Sequence, residues 1–577
     1  MNQAIRKKLD RITDILWAGG VTNPVTYIEQ ISYLIYLKLL DEAENERELQ
    51  GKLMNGNGKR LFPGQSERYR WSKWRFMSGE KLRNFLRDDV FPYMSTGLLK
   101  DEPQIAEYFR DAVLEIVDPN VLKQVIDEID AINFRRLGPD EKGDIFEYLL
   151  THLGQSALNG QFRTPRQIRS MMVELVDPDF GDTIYDPACG TGGFLIDSLE
   201  YVLAKYSEKP KEIPIYGEEW LVQKYTSRQG NGSKKSDGVD EIEIPKNYLK
   251  DVKKEIPNLQ TYKKGNGDKI PNWELLEGSL YGIDVSRQMM RIATMNMVLH
   301  CVPKSNIKRA NALSDLGGLS DEDLKRKYKI ILSNPPFAGV LPQDSIRKDL
   351  PTNSKKSELL FLGVMMEALA PGGRCAVVVP EGLLFGASSA HSELRRKLVE
   401  EFDLLAVISL PAGVFKPYAG VKTGVLVFRK PKNGRHPEQS EGSKKSESKK
   451  IWFYEIKNDG FDPDKITGGG RPETPDQNNI PDLVAQWRKY KSSDFTNPPG
   501  IIANSLLPEG SEEPTCWYAT YEMIETSEFS LAAGGYKPRI AEKGLNEDPK
   551  TLVQDTLKIE KEIVDGLNDL LNEIDKI

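Results

Sequence analysis

Cysteine and histidine are almost missing from this sequence. Four cysteines, Cys189, Cys301, Cys375 and Cys516, are spread over 577 residues. None are spaced as zinc pairs, and so few in so long a chain make no disulfide framework. The four histidines, His152, His300, His391 and His436, are scattered. A lone histidine more often serves structure than coordination, so no metal site is expected. Long apolar runs are missing too. No stretch approaches the roughly 20 residues that a membrane span needs. The first residues, Met1-Asn2-Gln3-Ala4-Ile5-Arg6-Lys7-Lys8, lack the apolar core of a signal peptide. The expectation is a protein of a reducing cytoplasm with no membrane role. Excess positive charge is also absent: the formal net charge is −7. Tight binding to DNA rests largely on neutralising phosphates with Lys and Arg. A chain of this charge that worked on DNA would take much of its grip from a second subunit. There is no G-x-x-x-x-G-K-[ST] phosphate cradle, and no segment fits G-x-G-x-x-G well.

What is present is a globular composition, 39% hydrophobic and 29% charged. The length exceeds one hydrophobic core and implies two or three domains. Residues 1–150 read as a helical N-terminal domain, because Thr26 to Leu40 and Asp144 to Leu150 place apolar residues at helical spacing. From about 182 to 430, β-prone runs alternate with helical stretches. The runs are Asp182–Tyr185, Leu280–Asp284, Lys329–Ser333, Arg374–Val379 and Leu404–Ile408. The helix before Arg374 is expected to end at Pro371-Gly372-Gly373. This alternation predicts an α/β, doubly wound sheet with helices on both faces. Thr423–Phe428 and Ile451–Ile456 are expected to pair as a terminal hairpin. The catalytic domain would span 151–460. Its insertions at about 206–276 and 431–450 are polar, low in complexity and read as solvated loops. Residues 461–577 form a C-terminal region, largely polar loop and helix, with no obvious room for a base-reading domain. In its last helix Leu557, Ile559, Ile563, Leu567, Leu570, Leu571 and Ile574 make an apolar stripe. Such a stripe needs a partner surface, within the fold or on another subunit.

Three constellations carry chemistry. The first is Asp186-Pro187-Ala188-Cys189-Gly190-Thr191-Gly192-Gly193-Phe194, a glycine-rich turn between strand and helix. In a doubly wound sheet, ligands bind at the carboxyl ends of the strands, where glycine lets backbone approach ligand. The bland reading is an ordinary tight turn. The second is Asp284, at the end of the next strand. Its carboxylate can accept hydrogen bonds from ribose hydroxyls, or simply cap the helix that follows. The third is Asn334-Pro335-Pro336-Phe337, directly after a strand. An exocyclic amino group conjugated to a ring is a poor nucleophile. The Asn334 side-chain oxygen and the Pro335 carbonyl can accept its two N–H groups and stabilise the positive charge that develops on nitrogen. Prolines 335 and 336 stiffen the loop, and Phe337 gives an extruded base a face to stack on. Neither a metal nor a covalent nucleophile is required. The bland alternative is a rigid turn.

The tetrapeptide, the Asp-Pro-x-x-Gly-x-Gly turn and their order resemble amino-methyltransferases. More specifically, the chain is similar along most of its length to modification subunits of type I restriction–modification systems, N6-adenine DNA methyltransferases. Gly160-Gln161-Phe162-Arg163-Thr164-Pro165-Arg166 looks like the family's segment before the cofactor turn. Pro411-Ala412-Gly413-Val414-Phe415 with Gly420-Val421-Lys422-Thr423 looks like its late-sheet segment, and Ser530 to Pro538 like a segment near its C-terminal end.

The resemblance implies a Rossmann-like sheet, S-adenosyl-L-methionine as cofactor and a flipped adenine as target. It places Gln161, Phe162, Arg163, Thr164, Pro165 and Arg166 against the methionine part of the cofactor. Gly190, Thr191, Gly192 and Gly193 would line it, with Asp186 nearby. Asp284 would hold the ribose, and Asn311, in Ala310-Asn311-Ala312-Leu313, would lie beside the cofactor's adenine. Arg163 departs from the aromatic residue that many relatives carry there. The resemblance also implies double-stranded DNA, a specificity subunit and a restriction subunit as partners, so sequence reading would come in trans. Cytosine N4, or a glutamine amide in a protein, presents a similar amino nitrogen. The full-length resemblance argues against the protein substrate and leaves cytosine as the nearer alternative. A non-enzymatic scaffold for a specificity subunit is the reading of another class, and the intact Asn334 to Phe337 set argues against it.

Overall fold

The computed structural model describes residues 3–53, 60–98, 100, 102–134, 137, 145–146, 148–149, 164–206, 261–263, 269–271, 276, 278–300, 302, 306–315, 317–337, 339–416, 422–432, 449–462, 465, 471–541 and 549–574. Its N-terminal part is helical. The principal helices there are α1 (Gln3–Ala18), α2 (Pro24–Leu53) and α3 (Pro119–Asp130). Local chemistry explains α3. Asp118 accepts from the backbone N–H groups of Asn120 (2.7 Å) and Val121 (3.4 Å), and Pro119 opens the first turn. Leu122, Val125, Ile126 and Ile129 recur at helical spacing and are buried.

The strands of the large sheet are β1 (Ile184–Asp186), β2 (Leu280–Asp284), β3 (Asn306–Arg309), β4 (Tyr328–Ser333), β5 (Leu369–Pro380), β6 (Asp403–Ser409), β7 (Thr423–Arg429), β8 (Lys450–Glu455), β9 (Ile501–Ile502) and β10 (Cys516–Thr520). Their order is β3-β2-β1-β4-β5-β7-β6-β8-β10-β9. Strands β1 to β5 are parallel. Strand β7 is antiparallel to both β5 and β6. Alternate side chains divide the core. Ile331, Val377, Val407 and Leu426 face one side with α7 (Ser357–Ala368) and α8 (Ser389–Glu400). Ile330, Leu332, Val378 and Val425 face the other with α4 (Arg166–Val176), α5 (Gly193–Tyr206) and α9 (Ile480–Ser492). The sheet is therefore buried on both faces, as its near-continuous apolar strands require.

Two expectations are corrected. Thr423–Phe428 and Ile451–Ile456 do not form a terminal hairpin. Strand β7 slots between β5 and β6, while β8 lies parallel to β6 and antiparallel to β10. Every residue of β7 from Thr423 to Phe428 is buried, which suits an interior strand and not an edge hairpin. The helix before Arg374 ends at Ala368, and the strand already begins at Leu369. Gly372, at φ +72°, turns within that strand run instead of stopping a helix. The sheet also draws β9 and β10 from beyond residue 460, and α9 buries Trp487 and Tyr490 against it. Of the two expected insertions, residues 207–260 and 433–448 lie outside the described set. Thr261–Lys263 pairs antiparallel with Lys269–Pro271.

Helix α6 (Arg287–Leu299) joins the two parts. Its Met297 belongs to the core of the sheet. Its Met289, Ile292, Met295 and Leu299 belong to the core of the N-terminal helices. A buried ion pair between Arg291 and Glu29 of α2 spans the junction, and Tyr33 Oη donates to Glu29 at 2.9 Å. Glu29→Ala leaves the Arg291 charge buried without its partner. The expected loss is ~3–5 kcal/mol, read as a lower urea midpoint. An unmoved midpoint would show that the junction tolerates the lone charge. Helix α10 (Pro549–Ile574) carries Leu557, Ile559, Ile563 and Leu567 of the expected stripe, all more than half exposed. Among the described residues no helix is long and apolar enough to cross a membrane.

Candidate functional site

Parallel strands put their carboxyl ends along one edge, and the chemistry-bearing residues sit there. Asp186 ends β1, Asp284 ends β2, Asn311 follows β3 by two residues, and Asn334 follows β4 directly. Residues separated by 148 positions in sequence thus meet because β1 is sandwiched between β2 and β4. Gln161, Phe162 and Arg163 lie outside the described residues. Thr164 and Pro165 immediately precede α4, and Arg166 begins it.

The glycine-rich turn is held on three sides. Cys189 N–H donates to the Ile283 carbonyl at 2.9 Å. Gly190 N–H donates to Asp284 Oδ2 at 3.0 Å. Asn296 of α6 donates from Nδ2 to the Thr191 carbonyl at 2.9 Å. Gly190 and Gly192 take φ +51° and +78°, which a side chain would strain. A Cβ on Gly190 would meet no heavy atom within 4 Å, so the turn fronts open space.

Asp186 is buried and Asp284 half-buried, and both already hold backbone donors. Asp186 Oδ1 accepts from Ala188 N–H (3.0 Å) and from Ser333 Oγ (2.7 Å). Burial pushes its carboxyl up to about 7, against the pull of those two donors, and Asp284 pushes the same way. Asp284 Oδ1 accepts from Ser286 N–H at 2.7 Å, but the helix that follows is capped by Ser286, whose Oγ accepts from Met289 N–H at 3.3 Å, so Asp284 braces the turn and is not the helix cap. Burial raises its carboxyl as well. Asn311 folds its own loop: Oδ1 accepts from Leu313 N–H at 3.0 Å, and its N–H donates to the Gly317 carbonyl at 2.8 Å.

Asn334 is the unusual member. Its Nδ2 donates to Thr164 Oγ1 at 2.9 Å. Its Oδ1 is buried and, among the described residues, has no hydrogen-bond partner. A buried acceptor left unpaired costs ~1–3 kcal/mol, so such an atom calls for a reason. Pro335 is buried and Pro336 is exposed. Phe337 is half-buried and meets the buried Phe415 edge-to-face, with ring centroids 6.0 Å apart and planes at 80°. Among the described residues no group of three or more His, Cys, Asp or Glu could hold a metal ion.

Ser333, Asn296 and the Phe415 contact with Phe337 were not singled out from sequence. Ser333 carried a readable signal, since it is the polar residue that closes the apolar run Ile330–Leu332 of β4 and abuts Asn334. Asn296 had none, being one of several polar residues in its helix. Phe415 lay in a segment noted only for its family likeness, and its partner is 78 residues away in sequence.

A family model described as N-6 DNA Methylase matches residues 138–228 and 266–543, and one described as HsdM N-terminal domain matches residues 5–129. The chain is 29% identical over 452 residues to the type I restriction enzyme EcoEI methylase subunit of Escherichia coli, covering 76% of this chain and 74% of that protein. It is 25% identical over 466 residues to the EcoKI methylase subunit of Escherichia coli strain K12, covering 79% and 72%. In fold it is similar to a chain solved in work on complex assembly and conformational transition of the type I R-M system. There the TM-score is 0.64 at 24% identity, covering 100% of this chain and 99% of that one. It is also similar in fold to the type I restriction-modification system methyltransferase subunit from Streptococcus thermophilus, with TM-score 0.57 at 14% identity, covering 93% and 99%. The first family model runs through the strands that bring Asp186, Asp284, Asn311 and Asn334 together and matches well over half of the sequence, and on that match the chain belongs to the N-6 DNA methylase family.

Proposed function

We propose that this protein transfers a methyl group from S-adenosyl-L-methionine to the N6 amino group of adenine in DNA, as the modification subunit of a type I restriction–modification complex. The observation that carries the reading is the buried Asn334 Oδ1 at the carboxyl end of β4, unpaired among the described residues. An acceptor of that kind is suited to an N–H donor that arrives with the substrate. The Pro335 carbonyl is the second acceptor. Together they draw the amino nitrogen out of conjugation with the ring and stabilise its developing positive charge. Phe337, its ring plane set by Phe415, takes the face of the extruded base.

The residues of the turn fit the cofactor. Gly190 fronts open space, Asp284 can accept from ribose hydroxyls with the lone pairs its backbone donors leave, and Asp186 offers a carboxylate near a cationic ligand. When bound, S-adenosyl-L-methionine would supply an electrophilic methyl to the amino nitrogen and leave as the neutral thioether, and the nitrogen would pass one proton to water. Asn311 would lie beside the cofactor's adenine, and Thr164 to Arg166 near its methionine part. The relatives are methylase subunits of type I enzymes, and the net charge of −7 is poor for gripping phosphates. Both support a specificity subunit that reads double-stranded DNA in trans and a restriction subunit in the same complex.

The test is transfer of labelled methyl from S-adenosylmethionine to DNA, by this chain alone and together with its specificity subunit. N6-methyladenine formed only by the pair is the expected product. N4-methylcytosine without N6-methyladenine would overturn the target, and activity of the chain alone would overturn specificity in trans. Gly317→Ala probes the cofactor side separately. A Cβ there would lie 2.1 Å from the Asn311 carbonyl oxygen and 2.8 Å from that of Ser314, so the loop must open. Strain of ~1–3 kcal/mol should weaken cofactor binding ~10-fold in calorimetry. Unchanged affinity would remove the Asn311 loop from the cofactor site.

A further inference from the structure

Asn334 can serve as an acceptor only if its amide is turned the right way. Turned over, it would present NH2 to an amino group that is itself a donor. Thr164 Oγ1 accepts from Asn334 Nδ2 at 2.9 Å, which occupies the NH2 end and leaves Oδ1 for the substrate; a hydroxyl can also donate, so the contact anchors the amide in place. Thr164 is in turn fixed by Arg169, which donates from Nη1 to the Thr164 carbonyl at 2.8 Å. The Arg169 guanidinium forks onto Asp197 of α5, Nε to Oδ2 at 2.8 Å and Nη2 to Oδ1 at 3.2 Å. Thr164, Arg169 and Asp197 are all buried, at 6%, 5% and 8% exposure. A Cβ on Gly193 would lie 2.9 Å from Arg169 Nε, so the guanidinium rests on the first turn of α5, where the glycine-rich turn ends.

We propose that Thr164, held by the buried Arg169–Asp197 pair, is a positioning residue for methyl transfer: it anchors the Nδ2 end of the Asn334 amide, so that Oδ1 is held where the target amino group arrives. The inference rests on Asn334 being that acceptor. Stability alone is a poor account of the pair, because a buried ion pair must offset the desolvation of both charges and can often be replaced by apolar side chains at no loss. What a two-point fork does provide is a single orientation. Gly193 and Asp197 are four residues apart and share a face of α5. One helix therefore registers both the glycine-rich turn and the acceptor, and the relative placement of methyl donor and target nitrogen is set through it.

The experiment uses the complex purified with its specificity subunit. It measures single-turnover methyl transfer at saturating S-adenosylmethionine and DNA, cofactor affinity by calorimetry, and the thermal midpoint. Thr164→Val should slow transfer ~10- to 100-fold even at saturating cofactor, as small misplacements at a reacting centre do. Thr164→Ser should restore most of the rate. The paired replacement Arg169→Met with Asp197→Leu should slow transfer similarly while the midpoint holds. In an Asn334→Ala background, Thr164→Val should cost nothing further. Wild-type transfer by Thr164→Val overturns the proposal. So does weaker cofactor binding with a wild-type rate at saturation, which would make Thr164 a cofactor ligand only. Retained activity in Asn334→Ala alone would instead overturn the acceptor assignment beneath it, so the two failures are distinguishable.

Discussion

Replacing Asn334 by alanine is expected to slow methyl transfer by a factor of ~10²–10³, the usual cost of removing one donor or acceptor aimed at developing charge. The same change should leave the fold as stable as before, or more so. Wild-type protein keeps Asn334 Oδ1 buried and unpaired among the described residues, a standing cost of ~1–3 kcal/mol. Alanine removes that atom, at the loss of one hydrogen bond from Nδ2 to Thr164. The combination is diagnostic. A residue kept for structure loses stability on truncation, whereas one kept for chemistry loses rate. Single-turnover transfer and the thermal midpoint, measured on one preparation, decide between them. A rate near wild type would end the proposed role of Asn334, and a large fall in midpoint would point to a structural one.

The second large effect concerns Asp186 and pH. Its carboxyl stands at about 7 in the fold, against an ordinary value of 3.8. Because the folded value is raised, Asp186 favours the fold most at low pH. That contribution is lost as pH climbs from about 4 through about 7. Asp186→Asn keeps an Oδ1 acceptor for Ala188 and Ser333 but carries no charge. The variant and the wild type should therefore have similar stability near pH 4. Above pH 7 the wild type should trail by ~4 kcal/mol at most, since each tenfold change in a proton-binding constant is worth ~1.4 kcal/mol. Urea unfolding across that range checks it, and parallel curves would refute the account of burial. The cost has a counterpart in binding. A cationic ligand near Asp186 favours the ionised form, so cofactor affinity should rise with pH through about 7 in the wild type and stay flat in Asp186→Asn.

Most of the parallel half of the sheet was legible in sequence because its strands are short apolar runs closed by turn residues; β3, with Ile307 as its one apolar residue, was not. Leu280–Asp284 is observed with those bounds, and Lys329–Ser333 starts one residue earlier, at Tyr328. The antiparallel half was not. The place of β7 between β5 and β6 depends on pairing Val425 with both Val378 and Ile408, and nothing local to β7 encodes that choice. Strand β9 has two residues, too few to show any period. In the site, Asp186, Asp284 and Asn334 could be named singly, since each ends or follows a strand, whereas Asn311 came from the family resemblance alone. The tie from Asn334 to Thr164 could not, because it spans 170 residues and depends on how α4 lies across the sheet. Proximity between side chains on different strands and helices follows from topology, which the residues on either side of a contact do not spell out.

Met289, Ile292, Met295 and Leu299 of α6 complete the core of the N-terminal helices. On a ribosome, residues 1–149 therefore emerge without the last piece of their own interior. The roughly 150 residues still to come take ~8–30 s at ~5–20 residues per second. For that interval the face of α2 that α6 covers stays open, which is when nascent chains are most prone to misassembly. Closure comes only when α6 arrives, bringing with it the turn that Asp284 begins. A message truncated before codon 299 would yield helices with an unfilled groove, a form that quality-control proteases should clear.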